Sequence, residues 1–208
     1  VFNEDKTFSK RTLYVENGVF VSSEEDVSDR SVIDAEGLRV IPGLIDIHSH
    51  GAAGHDFCDD DEAGLETILR YEYAHGVTSY CPTSMSLPKA KLRSLFADAN
   101  KVKMTRIVGF NMEGPFLSTS KKGAHREDCI ISPNVDFFRE CNAACGGRIR
   151  LVTVAPECEG AVDFIRALRG DVVISLGHSG ADYDTAKKAF DAGMSHVTHL
   201  YNSMTPFS

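Results

Sequence analysis

Two histidines, one residue apart, close an apolar run that reads "VIPGLIDIHSHG" over residues 40–51. In an extended strand residues i and i+2 point to the same side, so His48 and His50 share a face. Two imidazoles side by side on a buried strand repel when charged and are poorly satisfied when neutral, and a cation between them removes the difficulty. For the pair alone, hydrogen-bonded histidines near a turn are the plainer reading. Further chemistry-bearing residues follow at the ends of later apolar runs: Glu113 in "RIVGFNMEGP", His178 in "VVISLGHSG" and His199 in "SHVTHLYN". Four histidines and a carboxylate form a ligand set suited to zinc or iron.

The elements that must position these residues are legible as a repeating pattern. From residue 41 the chain alternates short apolar runs with amphipathic stretches, which predicts strands at 41–47, 77–81, 106–112, 150–155, 172–176 and 195–199. Runs rich in Val, Ile and Leu with no polar alternation read as fully buried parallel strands. Between them, "SLPKAKLRSLFADAN" predicts a helix capped by Ser86, with Pro88 in its first turn and Leu92, Leu95, Phe96 and Ala99 facing inward. "ADYDTAKKAFDAG" predicts another, capped by Asp182 or Asp184, with Tyr183, Ala186 and Phe190 inward and Gly193 as its stop. Six βα-type strands imply a parallel α/β fold, an open doubly wound sheet or a TIM-type barrel. No Gly-rich phosphate loop follows the first strand, so a Rossmann unit is unsupported. A barrel gathers its chemistry at the carboxyl ends of its strands, which is where the histidines and Glu113 fall.

Residues 11–41 follow another regime. Asn17-Gly18 between two apolar runs is a strong hairpin signal, and Glu36-Gly37 predicts a turn between short strands at 31–34 and 38–41. So small a strand cluster needs a neighbour to pack on.

The remaining histidines read differently. His75 precedes a helix-ending glycine and is expected on the terminal carbonyls. His196 is out of phase with His199 and is expected to face the helices, while His55 in "GAAGHDF" is left open. His125 follows Glu113 by twelve residues in a loop over the same pole and reads as a substrate contact, with Lys121 and Lys122 before it as solvated charge.

Composition narrows the class. With 208 residues, 42% hydrophobic and 25% charged, the chain is ordinary for a globular protein. A net charge of −8 argues against a general nucleic-acid binder but leaves room for an anionic substrate. No membrane span or signal peptide is written in these residues. Six cysteines without a C-x-x-C pair predict reduced thiols in a cytoplasmic protein, with Cys141 and Cys145 as packing residues.

The order of these residues resembles the amidohydrolase superfamily, which ends strand one with HxH, places a carboxylate midway, and ends strands five and six with single histidines. Three phrases, "NMEGPFL", "GHS" and "THLYNSM", are similar to those of the N-acetylglucosamine-6-phosphate deacetylase family, and the resemblance runs from about Arg11 to the last residue. It implies a (β/α)8 barrel, of which 42–208 would be the first six βα units, and a small β-sandwich domain to which 1–41 would contribute. It implies that Glu113, His178 and His199 hold a divalent metal, zinc or iron, and that His48 and His50 match a pair used by some members for a second ion. Ala124 and His125, in "KKGAH", would contact substrate, with His125 stabilising the oxyanion, and Asn202 and Ser203 would meet the sugar phosphate. The implied reaction is deacetylation of N-acetylglucosamine 6-phosphate by a cytoplasmic homodimer. The family's catalytic aspartate ends strand eight, whereas this sequence stops after strand six. Two alternatives stand beside this reading: an amidohydrolase acting on another amide, and a non-catalytic metal-binding fragment. Cyclic-amide hydrolases of the superfamily bridge two metals through a lysine ending strand four, and "LVTVAPE" has none there.

Overall fold

The structure, a computed structural model, describes residues 1–28, 31–102 and 106–206. The chain divides into two compact units, Val1–Gly43 and Leu44–Ser208. In the first, strands β1 (Tyr14–Glu16) and β2 (Val19–Val21) pair antiparallel. Asn17 (φ 52°) and Gly18 (φ 78°) are both left-handed, the two-residue turn whose twist suits a hairpin. The second expected hairpin is not formed. A turn closes from Leu38 N–H to the Ala35 carbonyl, but residues 31–35 and 38–41 make no ladder, and Val32 and Ile33 stand exposed. Turn chemistry alone does not make a strand pair when no third element covers the apolar side chains.

The second unit is an α/β layer structure with a six-stranded parallel sheet. Its principal strands are β3 (Leu44–Ser49), β6 (Val77–Ser84), β7 (Phe110–Glu113), β8 (Ile149–Val154), β9 (Val173–Leu176) and β10 (His196–Val197). A two-residue pair, β4 (Gly51–Ala52) and β5 (His55–Asp56), follows β3. Helices α1 (Glu62–Ala74), α2 (Lys89–Ala99), α3 (Val135–Ala144), α4 (Ala161–Leu168) and α5 (Tyr183–Ala192) connect successive strands. The order β10-β9-β8-β7-β6-β3 means that each strand lies beside its predecessor through a helix, the connectivity of a barrel. The sheet is curled like part of one: the His48 ring on the first strand lies 5.8 Å from the His199 ring that follows the last.

The core lies between sheet and helices. Ile68, Leu69, Phe96, Phe110, Met112, Phe138, Phe164 and Ile174 are fully buried there. The α2 stripe of Leu92, Leu95, Phe96 and Ala99 is buried as its spacing predicts, but the helix starts two residues later than expected, with Pro88 at its N-cap. Ser86 is engaged elsewhere, by His125. Asp182 caps α5 by accepting from the Thr185 N–H, and Gly193 ends it. Of the expected inward face of α5, Ala186 is partly buried against the core, but Tyr183 is 78% exposed and Phe190 is exposed, and Ala189 and Ala192 are the buried pair. Small residues let this helix sit close to its neighbours, and the aromatic rings point away. Cys141 and Cys145 are buried free thiols in the core, and burial pushes the Cys141 thiol up to about 12. No described helix is long and apolar enough to cross a membrane.

Candidate metal centre

Glu113 is the last residue of β7, and its side chain is almost wholly buried. Five histidines close on its two oxygens. Oε1 lies 3.1 Å from His178 Nε2 and 2.9 Å from His199 Nε2. Oε2 lies 3.0 Å from His50 Nε2, 3.3 Å from His48 Nε2 and 3.6 Å from His125 Nε2. Strand ends deliver the first two histidines and Glu113, loops after β9 and β10 deliver His178 and His199, and the long loop after β7 delivers His125.

The opposite ring nitrogens say what each Nε2 can do, because the partner of one nitrogen sets the tautomer of the other. His50 Nδ1 lies 3.0 Å from the Thr83 carbonyl, His178 Nδ1 2.8 Å from the Lys121 carbonyl, and His199 Nδ1 3.0 Å from the Asn202 carbonyl. A carbonyl only accepts, so each Nδ1 carries a proton, and each neutral ring turns an Nε2 lone pair inward. The His178 and His199 Nε2 atoms are 3.0 Å apart. Two lone pairs at that distance beside a carboxylate repel, and charging all five rings would set five cations around one anion. A divalent cation resolves both, and the residues fit one. Two triads have ligand atoms within 4.8 Å of one another, His48–His50–Glu113 and Glu113–His178–His199, with Glu113 common to both.

His48 and His125 differ from the other three. The Asn111 amide nitrogen, which donates to the Ile47 carbonyl, also faces His48 Nδ1 at 3.3 Å and leaves the His48 Nε2–H to point at Glu113. The Ser86 backbone N–H donates to His125 Nδ1 at 3.0 Å, so neutral His125 carries its proton on Nε2, facing the cleft. Burial lowers the His125 pKa, outweighing the pull of Glu113, and keeps it a neutral donor. Burial acts on His50 in the same sense, but its hydrogen bond to and charge attraction from Glu113 leave its pKa raised. For Glu113, burial works to raise the pKa, yet the imidazoles of His125, His178, His48 and His50 packed around it hold it far below the usual carboxylate range.

A cleft of about 390 Å³ opens over the cluster, within the roughly 300–1,000 Å³ of small-ligand sites. The sequence-predicted Glu113, His50, His178, His199, Ala124, His125, Asn202 and Ser203 line it together, with His48 beside them, and Met85, which the sequence reading did not single out, joins the lining. Strain is concentrated here: His178 (φ 49°), His199 (φ 29°), Tyr201 (φ 74°) and Ser203 (φ 49°) are all left-handed without being glycine. Gly123, in the loop before His125, needs to be glycine, since a Cβ would meet Ser203 Oγ at 2.7 Å.

Outside the cluster, His75 caps α1 with its ring nitrogen on the Tyr71 carbonyl, as expected. His196 is a correction. It lies in register with Ser175, its Nδ1 is 2.8 Å from Ser175 Oγ, and that hydroxyl also meets Thr198, so His196 lies on the sheet face that carries Ser175 and Thr198. Counting its phase from His199 fails because the strand ends at Val197 and His199 sits in the following turn. His55 lies against Gly64 of α1 and belongs to neither triad. Asn111 and Glu157 escaped the sequence reading, and Ser86, expected as a helix cap, was not expected to orient His125. Only Asn111 carried a signal, since it sits two residues before Glu113 on a strand.

A parallel barrel-type sheet that gathers imidazoles and a carboxylate at the carboxyl ends of its strands is the arrangement of an α/β barrel protein with a candidate divalent-metal site. No protein-family model matches the chain. It is 35% identical over 213 residues to the N-acetylglucosamine-6-phosphate deacetylase of Bos taurus, covering 95% of this chain and 52% of the relative. To that of Homo sapiens it is 37% identical over 186 residues, 84% of this chain and 45% of the relative. The crystal structure of N-acetyl-D-glucosamine-6-phosphate deacetylase from Mycobacterium smegmatis superposes with a TM-score of 0.84 at 30% identity, covering 94% of this chain and 53% of that one. By sequence and by fold the chain is similar to the N-acetylglucosamine-6-phosphate deacetylases, and it spans about half the length of the curated relatives it matches.

Proposed function

We propose that the protein hydrolyses the acetamido bond of N-acetylglucosamine 6-phosphate to glucosamine 6-phosphate and acetate. The observation that carries this reading is the convergence of five ring nitrogens on buried Glu113, at the pole where a barrel enzyme works. Glu113, His178 and His199 would hold a divalent metal, and His48 and His50 offer a second position on the same carboxylate. Imidazole and carboxylate donors suit zinc or iron. The Glu113–His178–His199 triad is the better furnished, because both of its histidines turn lone pairs inward while His48 turns a proton. When bound, such an ion supplies Lewis acidity toward water and an acyl oxygen.

The protein's own groups do the rest. The Nε2–H of neutral His125 faces the cleft and donates to the oxygen that gains charge as water adds to the acyl carbon. Ala124 contacts the substrate beside it, and Asn202 and Ser203 take the phosphate end. Collapse of the adduct breaks the C–N bond, and the departing amine takes up the proton that the adding water gives up. Among the described residues lining the cleft, Glu113 is the one carboxylate and is already engaged, so that proton transfer needs a further acid–base group. We further read residues 1–41 as part of a small β-sandwich domain and 42–208 as the first six βα units of the barrel, in a cytoplasmic homodimer.

Acetate release from N-acetylglucosamine 6-phosphate, with the unphosphorylated sugar in parallel and metal supplied, tests the reaction. Turnover of the phosphorylated sugar in clear preference is expected. Equal turnover of both sugars would remove the phosphate-recognition claim, and turnover of neither by metal-loaded protein would remove the substrate.

A further inference from the structure

We propose that Glu157 is a positioning residue that sets the metal affinity of the cluster by clamping the loop that bears His178; the inference rests on the metal reading above. Glu157 stands in the loop between β8 and α4 and touches none of the ligating atoms. Its two carboxylate oxygens are both committed to the residues directly after His178. Ser179 Oγ–H donates to one at 2.6 Å and the Gly180 backbone N–H to the other at 2.6 Å. Hydrogen bonds to an ionised acceptor are the strong kind, and a two-armed one also fixes direction.

The loop needs such a clamp. His178 sits at φ 49°, a left-handed conformation that a side-chain-bearing residue keeps only when its surroundings over-determine it. Upstream, the backbone is held by the Gly177 N–H on the Val154 carbonyl at 3.4 Å and by the Ser118 N–H, which donates to the His178 carbonyl at 3.1 Å. Downstream, Glu157 holds the Ser179 hydroxyl and the Gly180 N–H, beside the backbone bridge between Ser179 and Met204. Relaxation of that turn toward negative φ would swing the imidazole off the Lys121 carbonyl and its Nε2 off Glu113. Ser179 also carries the constraint to the neighbouring loop. Its backbone N–H donates to the Ser203 carbonyl at 3.1 Å, so one side chain steadies the loop of His178 and the loop that follows His199. Neither adjacent helix accounts for Glu157 instead, since α4 begins behind Gly160 and α5 is capped by Asp182.

The test is Zn²⁺ affinity of the intact protein, measured by competition with a chromophoric chelator, beside the melting midpoint of the metal-free protein and the visible spectrum of the Co²⁺-loaded protein. Glu157→Ala should weaken Zn²⁺ binding roughly 10- to 100-fold, the usual effect of losing a group that orients a ligand, and should alter the Co²⁺ bands. The metal-free midpoint should barely move, and Glu157→Gln should recover most of the affinity. Because the clamp acts through Ser179, Glu157→Ala and Ser179→Ala together should weaken binding by less than the product of the two single effects. Unchanged affinity in Glu157→Ala, a lower metal-free midpoint with full affinity, or independent effects in the double variant would each overturn the inference. Should Glu157→Ala fail to fold, Ser179→Ala alone must weaken Zn²⁺ binding, and its failure to do so overturns the inference too. If the wild type binds no metal, the metal reading falls and takes this inference with it, whereas wild-type binding with an unaffected variant removes the clamp alone.

Discussion

At the scale of single residues, the cluster depends on which ring nitrogen carries a proton. Carbonyls at Thr83, Lys121 and Asn202 prepare His50, His178 and His199 as lone-pair donors, whereas the Ser86 N–H prepares His125 as a hydrogen-bond donor. These opposite preparations lead to opposite mutational outcomes. His125→Ala should lower kcat by roughly 10²–10³, the loss of one oxyanion donor, while metal content stays at the wild-type level. Loss of metal from that variant would move His125 into the ligand set. The thiols make a second prediction at this scale. Burial pushes Cys58 and Cys141 up to about 12, so both are neutral thiols well above pH 8, and thiolate is the reactive form. Iodoacetamide at pH 8 should leave buried Cys141 unmodified and half-buried Cys58 slow to react in the native protein, and alkylate both after denaturation; rapid native labelling of either would contradict its raised thiol. Residue types at strand ends made the histidines and Glu113 legible in the sequence. The groups that orient them were not, because Ser86 meets His125 across 39 residues and Glu157 meets Ser179 across 22, through loops whose paths no periodicity encodes.

At the scale of elements, spacing was informative where a helix buries large side chains and misleading where it does not. The i, i+3, i+4, i+7 stripe of α2 is buried, and Phe96 at its centre is 0% exposed. Phe96→Ala should therefore cost about 3–5 kcal/mol in urea unfolding. The same rule assigned Tyr183 and Phe190 of α5 inward, but this helix packs through Ala189 and Ala192. Alanine is too common on exposed faces for its spacing to outvote two aromatic rings. Tyr183→Ser should accordingly fall within about 0.5 kcal/mol of the wild type, as exposed substitutions do. A loss above 2 kcal/mol would mean the ring is covered. Strand positions were readable to within a few residues from their apolar runs, yet β10 ends at Val197, two residues short of the expectation, and that shortfall misdirected His196. The turn at Glu36-Gly37 was readable and its flanking strands were not, since pairing depends on what covers them.

At the scale of the molecule, six parallel strands and five helices bring residues as far apart as His48 and His199 to a common carboxylate. The α/β class followed from the alternation of apolar runs and amphipathic stretches. The curl that lets the first and last strands share one site did not, because curvature is a property of the assembled sheet. A net charge of −8 is compatible with the phosphorylated sugar proposed above, since a bound metal and neutral donors in the cleft would take the place of a basic surface. The central claim is that the cluster around Glu113 is a divalent metal centre. The most direct measurement is the zinc and iron retained per chain after gel filtration in metal-free buffer, for the wild type and for Glu113→Gln. The wild type should retain one or two ions per chain and Glu113→Gln should lose most of them, with both proteins folded by circular dichroism. Equal metal content in the two proteins, or none in either, would contradict the account.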